Sequence, residues 1–219
     1  QEVCGSDYKK HYYPTFSGVA RSINFYPIAP EKPEDGIAKV AYGLGKYIVD
    51  GGLSLRFSPK YPNKVLQLSS AKSALKETQK HFFALDMNEE NFTASTNDAV
   101  NLLKIPIKDV DNDPSLKHLM SVYDYESDML RDGLNFKGKG KKVLTFAGVL
   151  HHKSFPLAEL LRELLEIGQK EMNLPIEIEF AVNMHDIKKH PHVFNLLQIR
   201  PIVESDQETE IEIDEVDED

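Results

Sequence analysis

Two apolar runs near the C-terminal end constrain the fold of this chain more than any other feature. PIEIEFAV (175–182) and FNLLQIRPI (194–202) each have the pattern of a strand that belongs in a hydrophobic core. The segment between them, MHDIKKHPH (184–192), is polar and contains a proline, which is typical of a connecting loop. The two runs therefore predict an antiparallel hairpin, although each strand also carries two polar side chains.

The polar side chains of this hairpin are spaced two residues apart. Because strand side chains alternate between two faces, Glu177 and Glu179 share one face of the first strand. Gln198 and Arg200 share one face of the second strand for the same reason. A hairpin folded about the middle of its loop sets Glu179 opposite Gln198, within cross-strand contact distance. The same register sets Glu177 opposite Arg200, and a slip of one residue would break it.

These side chains make a recognisable chemical set. Carboxylate and amide oxygens suit Mg²⁺, a hard cation that prefers oxygen ligands and usually bridges substrate phosphates. The guanidinium of Arg200 offers a planar fork of donors that matches phosphate oxygens. The combination predicts a metal–triphosphate site that neutralises the charge of a transferring phosphoryl group. The alternative is a plain cross-strand ion pair between Glu177 and Arg200 on a solvated sheet surface.

Helical patterns occupy a small part of the chain. The clearest is SFPLAELLRELLEIGQKEMNLP (154–175), with a broad leucine face, Ser154 as a cap and Pro156 in the first turn. Apolar residues at helical spacing also predict helix within 113–133. The segment 37–52 predicts a strand, a glycine turn and a short helix that ends at glycines.

Strand patterns account for most of the remaining regular structure. The predicted strands outside the hairpin are 17–22, 53–59, 64–70, 81–87, 102–107 and 143–150. Many strands with few helices predict an α+β fold, built on a mostly antiparallel sheet with a few packed helices.

The charge of the chain is concentrated at its end. The formal net charge is −9, but 204–219 holds ten acidic residues and no lysine or arginine. Without this tail the chain has 25 acidic and 26 basic side chains, so its charge does not predict a nucleic-acid partner.

No apolar run approaches the roughly 18–20 residues of a membrane span. The single Cys4 fits a reducing compartment, so we expect a cytoplasmic protein.

The residues of the hairpin resemble those of a known family. EIEFAV followed by LLQIRPI is similar to the end of the ATP-grasp domain of phosphoenolpyruvate synthase and pyruvate phosphate dikinase. SGVARS, the glycine segment GIAKVAYGLGKYIVDGG and the initial QEV resemble earlier segments of that domain, in the same order. The resemblance covers roughly 1–52 and 143–203, whereas 60–140 matches much less clearly.

This resemblance implies a phosphotransferase that acts as part of a longer protein. Residues 1–203 would form the C-terminal lobe of the ATP-grasp domain, and 204–219 would form an acidic tail or linker. The lobe would bind ATP and Mg²⁺ while a phosphoryl group passes to a histidine on a separate domain, and then to pyruvate. The first lobe and the phosphohistidine domain would belong to the same parent chain, so the fragment alone is expected to be inactive.

The resemblance also assigns roles to individual residues. Glu179 and Gln198 would be Mg²⁺ ligands, and Glu177 would be a supporting carboxylate. Arg200 would contact the transferring phosphate. The residues implied to lie near the adenine are Gln1, Glu2 and Val3. Independently of the resemblance, Arg56 follows the glycine segment directly, and from there it is placed to reach a phosphate.

Other readings remain open at this point. Adjacent His151 and His152 would point to opposite faces of a strand, so we do not expect them to share a metal. The turn KGKGKK (137–142) holds four lysines, but basic turns are common on surfaces. A non-catalytic nucleotide-sensing or interaction module of the same fold is one alternative. A dikinase for another acceptor, such as a glucan or an antibiotic, is a second.

Overall fold

The computed structural model describes most of the chain. The described residues are 6–8, of which only the backbone is considered, together with 10–97, 99–110, 113–133, 140–185 and 190–202. Gln1, Glu2 and Val3, predicted near the adenine, lie outside these residues, and so does the predicted acidic tail. The first half of the KGKGKK turn also lies outside them.

Twelve strands and four α-helices lie within the described residues. The strands are β1 (Ser6–Tyr8), β2 (His11–Tyr13), β3 (Phe16–Arg21), β4 (Ile37–Tyr42), β5 (Leu55–Phe57), β6 (His81–Asp86), β7 (Leu102–Pro106), β8 (Met120–Asp124), β9 (Met129–Asp132), β10 (Gly140–Leu144), β11 (Ile176–Asn183) and β12 (Val193–Pro201). The helices are α1 (Lys46–Val49), α2 (Ala71–Glu77), α3 (Ala147–Leu150) and α4 (Leu157–Met172). Short 3-10 turns cover Pro33–Asp35, Leu66–Leu68, Glu89–Asn91, Ile107–Val110 and Pro114–His118.

Three sheets organise these strands. Their strand orders are β12-β11-β3-β4-β5, β1-β2-β6-β7 and β10-β8-β9. Every strand pairing among the described residues is antiparallel. The predicted α+β fold with mostly antiparallel pairing is therefore confirmed. Within this part of the chain, no helix combines the length and the apolar character that crossing a bilayer requires.

Helix α4 packs against one face of the five-stranded sheet. Its leucine stripe is buried together with Ile176 and Ile178 of β11, and the stripe consists of Leu157, Leu161 and Leu165. Gly168 permits the close approach, because a Cβ at this position would collide with the side chain of Ile176. Burying each leucine contributes about 1.5–3 kcal/mol. This contact fixes the apolar face of β11 and leaves Glu177 and Glu179 to the opposite face.

The glycine turn at 43–45 lies where the five-stranded and four-stranded sheets meet. Gly43 has a φ of 83°, and a Cβ there would lie 2.6 Å from Cδ2 of Phe82 and 2.8 Å from the carbonyl oxygen of Phe83. Glycine is required here because the backbone is left-handed and the neighbours leave no space. The N–H of Leu44 donates to the Phe83 carbonyl at 3.1 Å, and α1 follows the turn. The predicted strand, glycine turn and short helix are confirmed.

A buried polar cluster joins β2, β4 and the turn that begins at Pro114. The hydroxyls of Tyr13 and Tyr42 both donate to Oδ2 of Asp113, at 2.6 and 2.5 Å. The backbone N–H and the hydroxyl of Ser115 donate to the other oxygen, Oδ1, at 2.9 and 2.8 Å. Burial, together with the charge of Asp113, raises the pKa of Tyr42. The phenol therefore stays protonated and remains a donor.

The prediction of helix within 113–133 is wrong. A single 3-10 turn is followed by the β8–β9 hairpin. The carboxylate of Asp124 organises the hairpin turn, since it accepts from the Glu126 N–H at 2.9 Å and from the Ser127 hydroxyl at 2.7 Å. Because β8 also pairs with β10, its backbone is fully engaged in a sheet. Strand pairing outweighs the helical spacing of the apolar residues.

The strand predicted at 64–70 is absent. This segment contains a 3-10 turn instead, and Gln67 within it bonds to the edge of β5. Its side-chain oxygen accepts from the Arg56 N–H, and its amide nitrogen donates to the Ser54 carbonyl, both at 2.8 Å. A side chain therefore completes the sheet edge where a further strand was expected.

The elements that precede β11 also differ from the prediction. The strand predicted at 143–150 ends at Leu144, and its second half forms α3. Phe146 has a φ of 56°, which breaks the extended backbone between the two elements. The N-cap position of α4 is occupied by Pro156 and not by the predicted Ser154. No described side chain accepts a capping hydrogen bond at this helix end.

Candidate functional site

The β11–β12 hairpin has the predicted register where it carries the polar side chains. Glu179 lies opposite Gln198. Glu177 lies opposite Arg200. Immediately after Glu179 the pairing shifts by one residue in a β-bulge, toward the loop end of the hairpin. The predicted register is therefore confirmed for these polar residues, because the irregularity begins only beyond them.

The row of the sheet that contains Glu177 is a group of three charged side chains. Glu177 is 4% exposed and pairs on its other side with Arg21 of β3. Arg21 Nε donates to Oε2 at 2.5 Å, and Arg200 Nε donates to Oε1 at 2.9 Å. Burial alone would raise the pKa of Glu177, but hydrogen bonds and charges from the two arginines outweigh it and lower that pKa. The hydrogen bond from Arg200 to Glu177 raises the pKa of Arg200, so its guanidinium stays fully ionised.

The next row of the sheet carries the second acidic residue. Glu179 pairs with Val19, which pairs with Lys39 of β4. Lys39 in turn pairs with Arg56 of β5. Directly paired residues of adjacent strands point to the same side of a sheet. The face therefore gathers Lys39 and Arg56 beside Glu179, from segments far apart in the sequence.

A cavity of about 460 Å³ lies over this face. Its charged lining residues are Arg21, Lys39, Arg56, Glu177, Glu179 and Arg200. Its apolar wall includes Phe25, Tyr26, Ile48 and Val49, of which the last two belong to α1. Four cations face two carboxylates here, so the cavity favours an anion. Its volume lies in the range of small-molecule sites, about 300–1,000 Å³.

Glu179 and Gln198 are the groups best suited to hold a cation. Toward the described residues, neither side chain makes a hydrogen bond, and Glu179 makes no ion pair, in contrast to Glu177. Glu179 is half-buried in the cavity wall, whereas Gln198 is exposed on the edge strand and does not line the cavity. No cluster of three or more metal-ligating side chains occurs among the described residues. Two oxygen ligands nevertheless fit Mg²⁺, which usually keeps several waters and binds substrate phosphates.

Arg56, predicted to reach a phosphate, lines the cavity, but part of its guanidinium is bonded to neighbouring residues. One of its terminal nitrogens donates to the side chain of Asn24 at 2.9 Å and to the carbonyl of Tyr26 at 2.7 Å. These bonds fix the segment that supplies the aromatic wall. Arg56 therefore supports the cavity in addition to adding positive charge.

Two cationic residues of this face were not predicted from the sequence. Arg21 ends the SGVARS strand, and Lys39 lies in the strand before the glycine turn. The period-two alternation of strand side chains shows which residues share a face within one strand. It did not show which strands are neighbours, so neither residue was connected with Glu177 or Glu179.

The expectation that His151 and His152 point apart is wrong. Both residues follow α3 and do not lie on a strand. Both rings approach Oδ2 of Asp132, at 3.5 Å from Nδ1 of His151 and 3.2 Å from Nε2 of His152. His151 ends α3 with a non-extended backbone, so the alternation of strand side chains does not apply to this pair.

The fold and this site together define a class of protein. The domain is an antiparallel α+β fold with a cavity on one sheet face whose cationic lining is chemically suited to an anion such as a phosphate. Comparison with family models identifies the chain further, because residues 1–219 match the pyruvate phosphate dikinase, AMP/ATP-binding domain. The chain belongs to this family of nucleotide-binding phosphotransferases. A comparison with curated proteins finds no match.

Proposed function

We propose that this chain is the Mg-ATP-binding lobe of a dikinase similar to phosphoenolpyruvate synthase. In this proposal residues 1–203 form the C-terminal lobe of an ATP-grasp domain, and 204–219 form an acidic tail. The first lobe and a phosphohistidine domain belong to the same parent chain, which acts in the cytoplasm. The phosphoryl group passes from ATP to that histidine and then to pyruvate.

The observation that carries the proposal is the pairing of Glu179 with Gln198 beside the pairing of Glu177 with Arg200. In phosphoryl transfer the protein contributes little covalent chemistry. Catalysis depends mainly on positioning the reacting groups and on stabilising the charge of the phosphoryl oxygens. Arg200 lines the cavity, and its donors not used by Glu177 bind the transferring phosphoryl group. When bound, Mg²⁺ supplies charge neutralisation at the phosphate oxygens.

The remaining residues complete the nucleotide site in this proposal. Glu179 and Gln198 supply the carboxylate and amide oxygens that hold Mg²⁺. Arg56 adds positive charge at the phosphate end of the cavity. Gln1, Glu2 and Val3 contact the adenine. The acceptor histidine of this proposal lies on a separate domain.

Substitution of the two proposed Mg²⁺ ligands in the full-length parent protein tests this function. The variants Glu179→Ala and Gln198→Ala should abolish ATP-dependent phosphorylation of the acceptor histidine, measured with radiolabelled ATP. Glu159→Ala is the matched control, because Glu159 is a carboxylate of α4 that lies outside the cavity lining and pairs with the surface residue Lys153 at 2.6 Å. Normal phosphorylation by either ligand variant would defeat the assignment, and so would an equal loss in the control.

A further inference from the structure

Glu177 is held by two arginines that approach it from opposite sides of one strand. β11 lies between β3 and β12, so Arg21 and Arg200 occupy the same row on its two flanks. Each arginine donates through Nε to a different oxygen of the carboxylate, at 2.5 Å for Arg21 and 2.9 Å for Arg200. A single carboxylate therefore orients both guanidiniums.

The two arginines have more charge and more donors than Glu177 can satisfy. One carboxylate between two guanidiniums leaves a charge of +1 in this row. Each guanidinium has five N–H donors, and among the described residues Arg21 uses one and Arg200 uses two, all toward Glu177. The side chain of Glu177 is 5% exposed, whereas those of Arg21 and Arg200 are 46% and 55% exposed and line the cavity. The surplus donors therefore border open volume.

A partly exposed arginine that pairs with a buried aspartate also occurs away from the cavity. Arg131 donates through Nε to Oδ2 of the buried Asp124 at 3.0 Å, with side-chain exposures of 51% and 5%. The hairpin turn supplies further donors to Asp124. A terminal nitrogen of Arg131 also donates to the Ser127 hydroxyl at 3.4 Å. Arg131 does not line the 460 Å³ cavity. The Glu177 group differs by its second guanidinium and by its position at the cavity.

We propose that Arg21 is a second phosphate-binding residue, and that Glu177 positions Arg21 and Arg200 together for two linked phosphoryl groups. The two guanidiniums bond to different oxygens of Glu177, so they flank the carboxylate on opposite sides and present separate sets of donors to the cavity. The ligand class is a compound with at least two adjacent phosphates, such as a nucleoside diphosphate, a nucleoside triphosphate or pyrophosphate. This inference rests on the proposed function, since it requires a nucleotide phosphate chain in this cavity.

Nucleotide titrations of the full-length parent protein test the role of Arg21. Arg21→Met and the control Arg131→Met are titrated by calorimetry with ADP, AMP and pyrophosphate, beside the unsubstituted protein. A hydrogen bond to a charged group corresponds to roughly a 10- to 100-fold change in affinity. We expect this loss for ADP and pyrophosphate in Arg21→Met, and a change of less than about threefold, or 0.7 kcal/mol, for AMP. Arg131→Met should bind every probe as the unsubstituted protein does.

The results separate the inference from the function on which it rests. If the unsubstituted protein binds neither ADP nor AMP, the proposed nucleotide function is refuted and the inference with it. If that protein binds ADP and Arg21→Met binds it equally well, only the inference is refuted. An equal loss of ADP and AMP affinity in Arg21→Met also refutes the inference, because the inference states that Arg21 selects ligands with linked phosphates. A loss for ADP without a loss for pyrophosphate supports a nucleotide ligand over the free anion.

The positioning role of Glu177 has its own readout. Glu177→Gln keeps the shape of the side chain but cannot accept from both arginines as a charged carboxylate. The ratio of ADP affinity to AMP affinity should therefore fall in this variant, even where its melting temperature is restored by added salt or glycerol. In the double variant, Arg21→Met should cost less ADP affinity than it does alone, because Arg21 is no longer oriented. If Arg21→Met costs the same ADP affinity with and without Glu177→Gln, the losses are additive and contradict the positioning role. Arg21→Lys keeps the positive charge but not the planar fork, and it replaces Arg21→Met in this test if that variant misfolds.

Discussion

Replacing Tyr42 by phenylalanine is expected to destabilise the protein without changing its fold. Tyr42 is fully buried, and its hydroxyl donates to Oδ2 of Asp113 at 2.5 Å and lies 3.1 Å from the hydroxyl of Tyr13. Phenylalanine retains the edge-on ring contacts with Tyr13 and Phe82, whose centroids lie 5.5 and 4.7 Å away. The change therefore isolates the contribution of one hydroxyl group.

The magnitude follows from the charge of the acceptor. A hydrogen bond to an ionised group contributes about 1.5–3 kcal/mol. Asp113 keeps its donors from Tyr13 and Ser115, so it is not left unpaired and the lower part of this range applies. In a chain of this size, each kcal/mol moves the melting temperature by roughly 2–4 °C. Tyr42→Phe should therefore melt roughly 3–8 °C below the unsubstituted protein.

Urea unfolding and thermal melts at neutral pH measure this effect, and Tyr123→Phe is the matched control. The hydroxyl of Tyr123 also donates to an aspartate, Asp128, at 2.6 Å, but this bond is exposed. An exposed bond of this kind contributes well under about 1 kcal/mol. A Tyr42→Phe protein that melts no lower than Tyr123→Phe would refute the reasoning, because burial would then add nothing to the bond.

The dependence of this effect on pH has a definite sign. Burial and the charge of Asp113 raise the pKa of Tyr42 above its ordinary value of 10.0. A raised folded-state pKa means that the stabilisation is complete below about pH 10 and is lost as the pH rises further. The stability difference between Tyr42→Phe and the unsubstituted protein should be constant from about pH 6 to 9 and narrow above about pH 10.

Two further predictions concern the glycine turn and the buried carboxylate. Gly43→Ala should destabilise by more than the roughly 1–3 kcal/mol of a strained backbone, because its Cβ also meets Phe82 and the Phe83 carbonyl. Gly51→Ala is the control for urea unfolding, since Gly51 also has a positive φ, 76°, but a Cβ there would have no described atom within 4 Å beyond its chain neighbours. Equal losses in the two variants would contradict the packing argument. The lowered pKa of Glu177, ordinarily 4.5, predicts a stabilisation that is complete above about pH 4.5 and is lost in more acidic solution. The stability difference between Glu177→Gln and the unsubstituted protein should therefore narrow between about pH 5 and pH 3, and a constant difference would contradict it.

Local sequence patterns predicted the polar face of the β11–β12 hairpin well, but they failed where tertiary contacts compete with local preferences. The register of Glu177 and Glu179 followed from strand alternation and a symmetric hairpin, both of which are short-range properties. The segment 113–133 has helical spacing, yet its residues pair in a sheet whose partner β10 lies beyond it in the chain. Gln67 likewise bonds to the edge of β5 in place of the predicted strand. In each failure a contact distant in sequence outweighed a local preference.

The amino-acid sequence by itself determined the α+β composition, the hairpin and the four polar side chains that one of its faces presents. Alternation and loop symmetry are sufficient for this, because each acts within a few residues. Only the tertiary structure decided that β3 lies beside the hairpin and β4 beside β3, adding Arg21 and Lys39 to the same face. Strand order depends on which apolar surfaces bury one another across the whole chain, and no local pattern encodes that choice.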